Sequence, residues 1–245
     1  MTRADLIIRN ASIMTMDDAH PCAESLAVSG NKIIAVGSNH DVANLADPAT
    51  RIIDANGASV LPGFIESHLH IFAGAASLTR LDLSGVSGRD ALRSIVANWS
   101  VRQPDGIIFA NQAHYTILGE GPVTRQMLDD ICPDRPFAMM APDSHTAWAN
   151  TAALAAAGIL HGAQPHPGSE IVMAADGTAS GELRETDAFS PVIALTENQG
   201  RESLGYTTAR DPVPAATMAQ RAADMTTLQQ GIDYCAALGI TSMHN

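Results

Sequence analysis

Leu61-Pro62-Gly63-Phe64-Ile65-Glu66-Ser67-His68-Leu69-His70 is the stretch on which the reading of this chain turns. It reads as a Pro-Gly turn followed by an apolar strand that ends in two histidines. Side chains at i and i+2 of a strand point to the same face, so this pattern sets the His68 and His70 imidazoles side by side. Two neutral imidazoles at that spacing suit a divalent metal such as zinc. A strand end that carries two unrelated histidines would show the same short motif, so its surroundings must decide.

What precedes the histidines is rich in short strands. Leu6-Ile7-Ile8 and the run from Ile13 to Met16 are two of them. The runs from Ser25 to Ser29 and Lys32 to Val36 flank Gly30-Asn31. Those from Arg51 to Asp54 and Ala58 to Leu61 flank Asn56-Gly57. Both turn pairs predict two-residue hairpins. A short helix is expected from Asp41 to Ala46.

After the histidines, helices and strands alternate. The pattern predicts a helix from Asp90, as N-cap, to Ser100, with Leu92, Ile95, Val96 and Trp99 on one face. A buried strand follows from Gly106 to Ala110, then a helix from Val123 to Ile131 and a strand from Phe137 to Ala141. An alanine-rich helix is expected from Thr146 to Ala157, stopped by Gly158. Asp176-Gly177 predicts a hairpin between the runs 170–174 and 178–184. Tyr206 to Pro214 reads as a loop. Thr217 to Leu238 reads as a long helix that carries Met218, Met225, Leu228 and Ile232 inward, before a strand from Ile240 to His244.

With 245 residues and 46% hydrophobic content the chain can bury a sizeable core. A formal net charge of -12 argues against nucleic-acid and anionic-membrane partners and fits a soluble cytoplasmic protein. Cys22, Cys132 and Cys235 are scattered and odd in number, which argues against a disulfide framework and a cysteine zinc site. No basic leader opens the chain, and no apolar run approaches the ~20 residues of a membrane span.

The Pro-Gly turn, the apolar strand and the two histidines, after a β-rich segment, resemble the amidohydrolase superfamily of metal-dependent hydrolases. Glu66 and Ser67 stand where that family's segment has Asp-x, so the acid is kept in type only. Asp143-Ser144-His145-Thr146-Ala147-Trp148-Ala149-Asn150, then Gly181-Glu182-Leu183-Arg184-Glu185, then Gly239 to His244 follow in the order of the YtcJ-like amidohydrolase family 3 branch. The resemblance implies an α/β chain: part of a (β/α)8 TIM-like barrel, with a β-sandwich portion and an inserted α+β subdomain. Its expected divisions are 1–62 for the sandwich part, 63–103 for the first barrel units, 104–200 for the insertion lining a substrate cavity, and 201–245 for a further barrel unit.

The implied activity is hydrolysis of a carbon–nitrogen bond, in amides or cyclic amides, by metal-activated water. His68, His70 and Glu185 are the implied metal ligands, with Glu182 close enough in sequence to be confused with Glu185. His145, His114, Tyr115 and His244 are the expected contacts to a small-molecule substrate. His145, read at a helix start, would be favoured in its neutral form by the helix dipole. The resemblance is compatible with a homodimer. A whole barrel takes ~250 residues. Only about three or four barrel strands fit after Pro62, and the later histidines and catalytic Asp are expected beyond Asn245. The reading therefore expects these residues to be the N-terminal part of a longer chain. A truncated half needing a partner chain, or a non-catalytic scaffold, is the alternative.

Overall fold

The computed structural model describes residues 3–202 and 215–244, so the loop expected from Tyr206 to Pro214 lies outside the described residues. The chain is mixed α/β and forms two compact units: residues up to Ser67 together with Gly239–His244, and His68–Leu238.

The first unit opens with β1 (Leu6–Arg9), β2 (Ser12–Met14), β3 (Cys22–Ala23), β4 (Ser25–Ser29), β5 (Lys32–Gly37), β6 (Arg51–Asp54), β7 (Ser59–Val60) and β8 (Phe64–Glu66). One sheet has the order β5-β4-β1-β6 and another β3-β2-β7. Gly30-Asn31 closes the β4–β5 hairpin as the sequence predicts, with Ser29 opposite Lys32 and Gly30 at φ 58. Helix α1 (Asn39–Ala43) starts two residues before its expected place, because Ser38 accepts a hydrogen bond from the Asp41 N–H and caps it.

Asn56-Gly57 makes a turn but not the predicted hairpin. β6 pairs in parallel with β1 in one sheet, and β7 pairs in parallel with β2 in the other. The two chain segments cross between the sheets together. Asn10 (φ 53) and Asn56 (φ 47) are both left-handed at the crossing, and the Gly57 N–H donates to the Asn10 carbonyl at 2.7 Å. The turn chemistry was legible; the partner strands were set by long-range pairing.

In the second unit a six-stranded sheet has the order β13-β14-β12-β11-β10-β9. Its strands are β9 (Leu81–Asp82), β10 (Ile108–Asn111), β11 (Phe137–Met140), β12 (Thr146–Ala149), β13 (Glu170–Met173) and β14 (Ala179–Arg184). β9, β10 and β11 run parallel; β12, β14 and β13 are added antiparallel. Alternate residues feed two cores. Ile108, Ala110, Phe137, Met139 and Trp148 join Leu92 and Val96 of α3 (Arg89–Arg102) and Leu128 of α4 (Arg125–Ile131). Ile107, Phe109, Ala138, Met140, Ala147 and Ala149 join Leu154 of α5 (Thr151–Ala156) and Phe189 of α6 (Thr186–Ile193). Burial on both faces is why β10 and β11 read as unbroken apolar runs.

Three expectations change here. Gly88, not Asp90, takes the N-cap position of α3, and Asp90 lies in its first turn. The stretch Thr146 to Ala149 is a fully buried central strand rather than helix. Helix begins only at Thr151, where Asn150 caps it by accepting from the Ala153 N–H. Alanine favours helix intrinsically, but pairing on both sides of β12, with Trp148 and the alanines on opposite faces, overrides that preference. Finally, α7 (Met218–Ala237), closed at its start by a Thr217–Gln220 capping box, leaves Met218, Met225, Leu228 and Ile232 exposed or half-exposed. Its buried residues are Gly231 and Cys235. A Cβ on Gly231 would lie 2.7 Å from that of Ala75 and 3.2 Å from Ile71 Cγ1 in α2 (Ile71–Ser77), so the two helices approach closely where α7 has a glycine.

The first unit regains the chain end as β15 (Ile240–Met243), the parallel partner of β8. The Phe64 N–H donates to the Gly239 carbonyl at 2.8 Å and the His244 N–H to the Glu66 carbonyl at 2.9 Å. Thr241 sits so close to Gly63 that any Cβ there would collide with it, which is why the Pro-Gly turn needs glycine. β8 ends at Glu66, so the histidine pair follows the strand instead of ending it. Among the described residues no helix is long and apolar enough to cross a membrane.

Candidate active site

A cavity of about 730 Å³ opens in the second unit where β10 and β11 end and β12 begins. Crevices at the carboxyl ends of parallel strands are the usual ligand sites of open α/β sheets, and this volume is within the small-molecule range. Asn111 and Gln112 reach it from the end of β10, Met140 and Ala141 from β11, and Asp143, Ser144 and His145 from the turn into β12. Glu185 enters from the end of β14, and His70 from the residue before α2.

The antiparallel register of β12 and β14 pairs Thr146 with Arg184 and Ala147 with Leu183. One step further out, His145 and Glu185 face each other. The Glu185 N–H donates to the His145 carbonyl at 2.8 Å, and the His145 Nδ1 lies 3.1 Å from Glu185 Oε2. Hydrogen bonding to Glu185, then its charge, with a smaller contribution from Asp143, holds the His145 pKa above the ordinary imidazole value. That reverses the expected helix-dipole effect, since His145 precedes a strand and no helix starts there.

Behind His145, the Asp143 carboxylate accepts from the His145 N–H at 3.1 Å and from the Tyr115 hydroxyl at 3.1 Å. Tyr115 also bonds Thr146 Oγ1 at 3.0 Å and meets Trp148 edge-on, so it braces the turn rather than lining the cavity. His114 turns to Thr116 Oγ1 at 2.9 Å within its own loop. His244 belongs to the first unit, exposed just past β15. Glu182 is distinct from Glu185: it pairs with Arg184 at 2.7 Å on the sheet.

The rings of His68 and His70 lie 5.2 Å apart at 75°, edge to face rather than side by side, because the backbone bends after Glu66. Two imidazoles are suitable donors for a divalent cation, but a catalytic metal site takes about three protein ligands. Among the described residues no group of three or more His, Cys, Asp or Glu side chains gathers to hold one. The pair fits part of a coordination sphere, and Glu185 is engaged by His145.

Of the residues lining this cavity, Gln112, Arg80 and Glu202 carried no sequence signal. Gln112 (φ 62), Ser144 (φ 62) and Glu185 (φ 64) are three of seven non-glycine residues with positive φ among those described, and all three line this cavity. Such conformations cost free energy and gather at functional sites. Arg80 and Glu202 form a buried ion pair on the same wall, and the Arg80 guanidinium stacks 4.6 Å over Phe109. Partners so distant in sequence leave no local motif.

Comparison with known proteins agrees with this architecture. The profile of the Amidohydrolase family matches residues 51–245. An N-substituted formamide deformylase of Arthrobacter pascens is 32% identical over 75% of this chain and 35% of its own length. The putative amidohydrolase YtcJ of Bacillus subtilis is 30% identical over 70% of this chain and 33% of its own. Protein LONG AFTER FAR-RED 3 of Arabidopsis thaliana is 30% identical over 82% and 35%. The chain thus spans about a third of the length of the curated relatives it matches. An uncharacterized metal-dependent hydrolase from Pyrococcus horikoshii shares the fold at TM-score 0.57 and 21% identity, over 97% of this chain and 42% of its own. On the strength of the family profile and these relatives, the chain belongs to the amidohydrolase family.

Proposed function

We propose that the protein is a metal-dependent hydrolase of carbon–nitrogen bonds in amides or cyclic amides, with a small-molecule substrate bound in the cavity at the ends of β10 and β11. The observation that carries the reading is that one cavity brings His70 together with the His145–Glu185 pair. The activity named for the Arthrobacter relative, deformylation of N-substituted formamides, supports the choice of bond. The parallel strands β8 and β15 are read as two strands of a (β/α)8 barrel, and the sheets of the first unit as part of a β-sandwich.

His68 and His70 would hold a divalent cation, zinc being the preferred one, with further ligands supplied from outside the described residues. When bound, such a cation supplies Lewis acidity toward a carbonyl and lowers the pKa of water. Glu185, which lies 3.1 Å from the His145 Nδ1, is the third ligand of this reading. Asn111, Gln112 and Ser144 offer polar groups that orient a substrate, and Met140, Phe189 and Ile193 offer apolar wall. In this reading the protein works in the cytoplasm, as a homodimer.

Metal analysis of the whole native protein tests the reading. The wild type should carry a divalent metal and hydrolyse amides, and the double variant His68→Ala/His70→Ala should lose both. Full metal retention in that variant would refute the ligand assignment. A wild type without metal or hydrolysis would favour the non-catalytic scaffold.

A further inference from the structure

We propose, on the hydrolase reading above, that the Arg80–Glu202 ion pair is a partition that closes the far end of the substrate cavity and sets the length of substituent the cavity accepts.

A second cavity, of about 480 Å³, lies in the same unit. The same elements line both cavities. Along α6, Phe189 and Ile193 line the first, and Thr196 and Asn198, just past the helix, line the second. On β10, Asn111 lines the first and Phe109, two residues earlier, the second. Helix α2 presents Ala73 and Ser77 to the first and Ala76 to the second. Cavities that share their walls in this way would be one trough along the sheet if nothing stood between them. Among the described residues that line them, Arg80 alone belongs to both.

Register and charge hold Arg80 in that place. It directly precedes β9, and β9 pairs Leu81 with Ala110 of β10. Arg80 is thereby set beside Phe109, and its guanidinium stacks 4.6 Å over that ring. Glu202, which lines the first cavity, accepts a hydrogen bond from the guanidinium and meets its charge. The two side chains are only 13% and 5% exposed. A planar guanidinium can be stacked and paired at once, so a long side chain that would otherwise sample many rotamers is fixed across the trough.

A fixed partition has a consequence for the substrate. The first cavity offers apolar wall at Met140, Phe189 and Ile193. An alkyl substituent therefore gains affinity with each methylene it buries there, until it meets the pair. A longer substituent must push apart two buried charges, and a buried charge left without its partner is costly. The substrate class this favours is an amide whose apolar substituent ends at the pair.

The test uses the whole native protein and two series of probes. Hydrolysis is followed with N-alkylformamides from ethyl to dodecyl. Binding is followed by ligand-observed NMR with alkan-2-ones of matching length, which present a carbonyl but no C–N bond to cleave. Arg80→Ala/Glu202→Ala removes both charges together and opens the partition. Arg80→Met/Glu202→Leu removes the same charges but keeps their bulk, an exchange that buried ion pairs tolerate well. Each result is a ratio between probes within one preparation, so a lowered folded fraction leaves it unchanged. In the wild type kcat/KM should rise with chain length and then fall by about tenfold for each methylene past a limit. The Ala/Ala variant should move that limit to longer chains and raise the relative kcat/KM of the first probe beyond the wild-type limit by about tenfold or more. The Met/Leu variant should keep the wild-type limit. No limit in the wild type, the same limit in the Ala/Ala variant, or an equal shift in both variants would overturn the partition. Ketone binding whose limit moves in the Ala/Ala variant alone, with no formamide hydrolysed, would uphold the partition and refute the hydrolase reading.

Discussion

Glu185 offers a direct measure of strain at the candidate site. Its φ of 64° and ψ of 164° lie in a region that glycine enters freely and other residues enter at a cost of about 1–3 kcal/mol. Consider Glu185→Ala and Glu185→Gly. Both remove the contact between the His145 and Glu185 side chains, which are 65% and 47% exposed, so that loss is common to the two variants. Both keep the backbone N–H that donates to the His145 carbonyl. They differ in the Cβ alone. Glycine relieves the strain but costs about 0.5–1 kcal/mol more in chain entropy. The glycine variant should therefore be the more stable, by about 1 kcal/mol at mid-range and at most about 2.5 kcal/mol. Urea unfolding with an unchanged m-value reads that difference as a higher midpoint. Ala222→Gly, at an exposed interior position of α7, is the control and should lose about 1 kcal/mol. If Glu185→Ala proves as stable as Glu185→Gly, the argument that the backbone is strained there is wrong.

Two further outcomes follow from buried groups. Asn150 is fully buried; it accepts from the Phe137 and Ala153 N–H groups and donates to the Cys132 and Arg135 carbonyls, all within 2.8–3.0 Å. Asn150→Ala strands several buried partners and uncaps α5, so urea unfolding should show a loss of about 3–5 kcal/mol, a large part of a typical total; a loss below about 1 kcal/mol would contradict the network. Burial pushes the Cys132 thiol up, against the smaller opposite pull of Arg135, while Cys22 is exposed. Iodoacetamide at pH 8 should label Cys22 and spare Cys132 until urea is added, as read by peptide mass spectrometry. Because the folded pKa is the raised one, the thiol's contribution to stability is complete below its unfolded value of ~8.5 and is lost as pH rises from there through the folded value.

The apolar runs of β10 and β11 were legible because both of their faces are buried, and the Gly30-Asn31 and Asp176-Gly177 hairpins because their strands are sequence neighbours. The Asn56-Gly57 turn shows the limit of that signal. It marks where the chain turns and says nothing about the strand it pairs with afterwards. In α7 the large apolar residues misled, because the close approach to α2 is at Gly231, against Ala75 and Ile71, where the absence of a side chain permits the contact. Arg80 and Glu202 are 122 residues apart and meet through the fold alone.

The site itself depended on one local decision. Read as helix, the stretch from Thr146 gives His145 a helix terminus and gives Glu185 no reason to be near it. Read as strand, the same stretch pairs with β14, and the register carries His145 and Glu185 to opposite positions with no further assumption. The motif with His145 and the motif with Glu185 are then two halves of one antiparallel pair rather than two separate signals. The backbone at Glu185 argues the same point from energy. Glycine would satisfy that conformation without strain, and the chain places a charged side chain there instead. Its carboxylate is half exposed and lies 3.1 Å from the His145 Nδ1, so at that exposure the contact contributes little to stability.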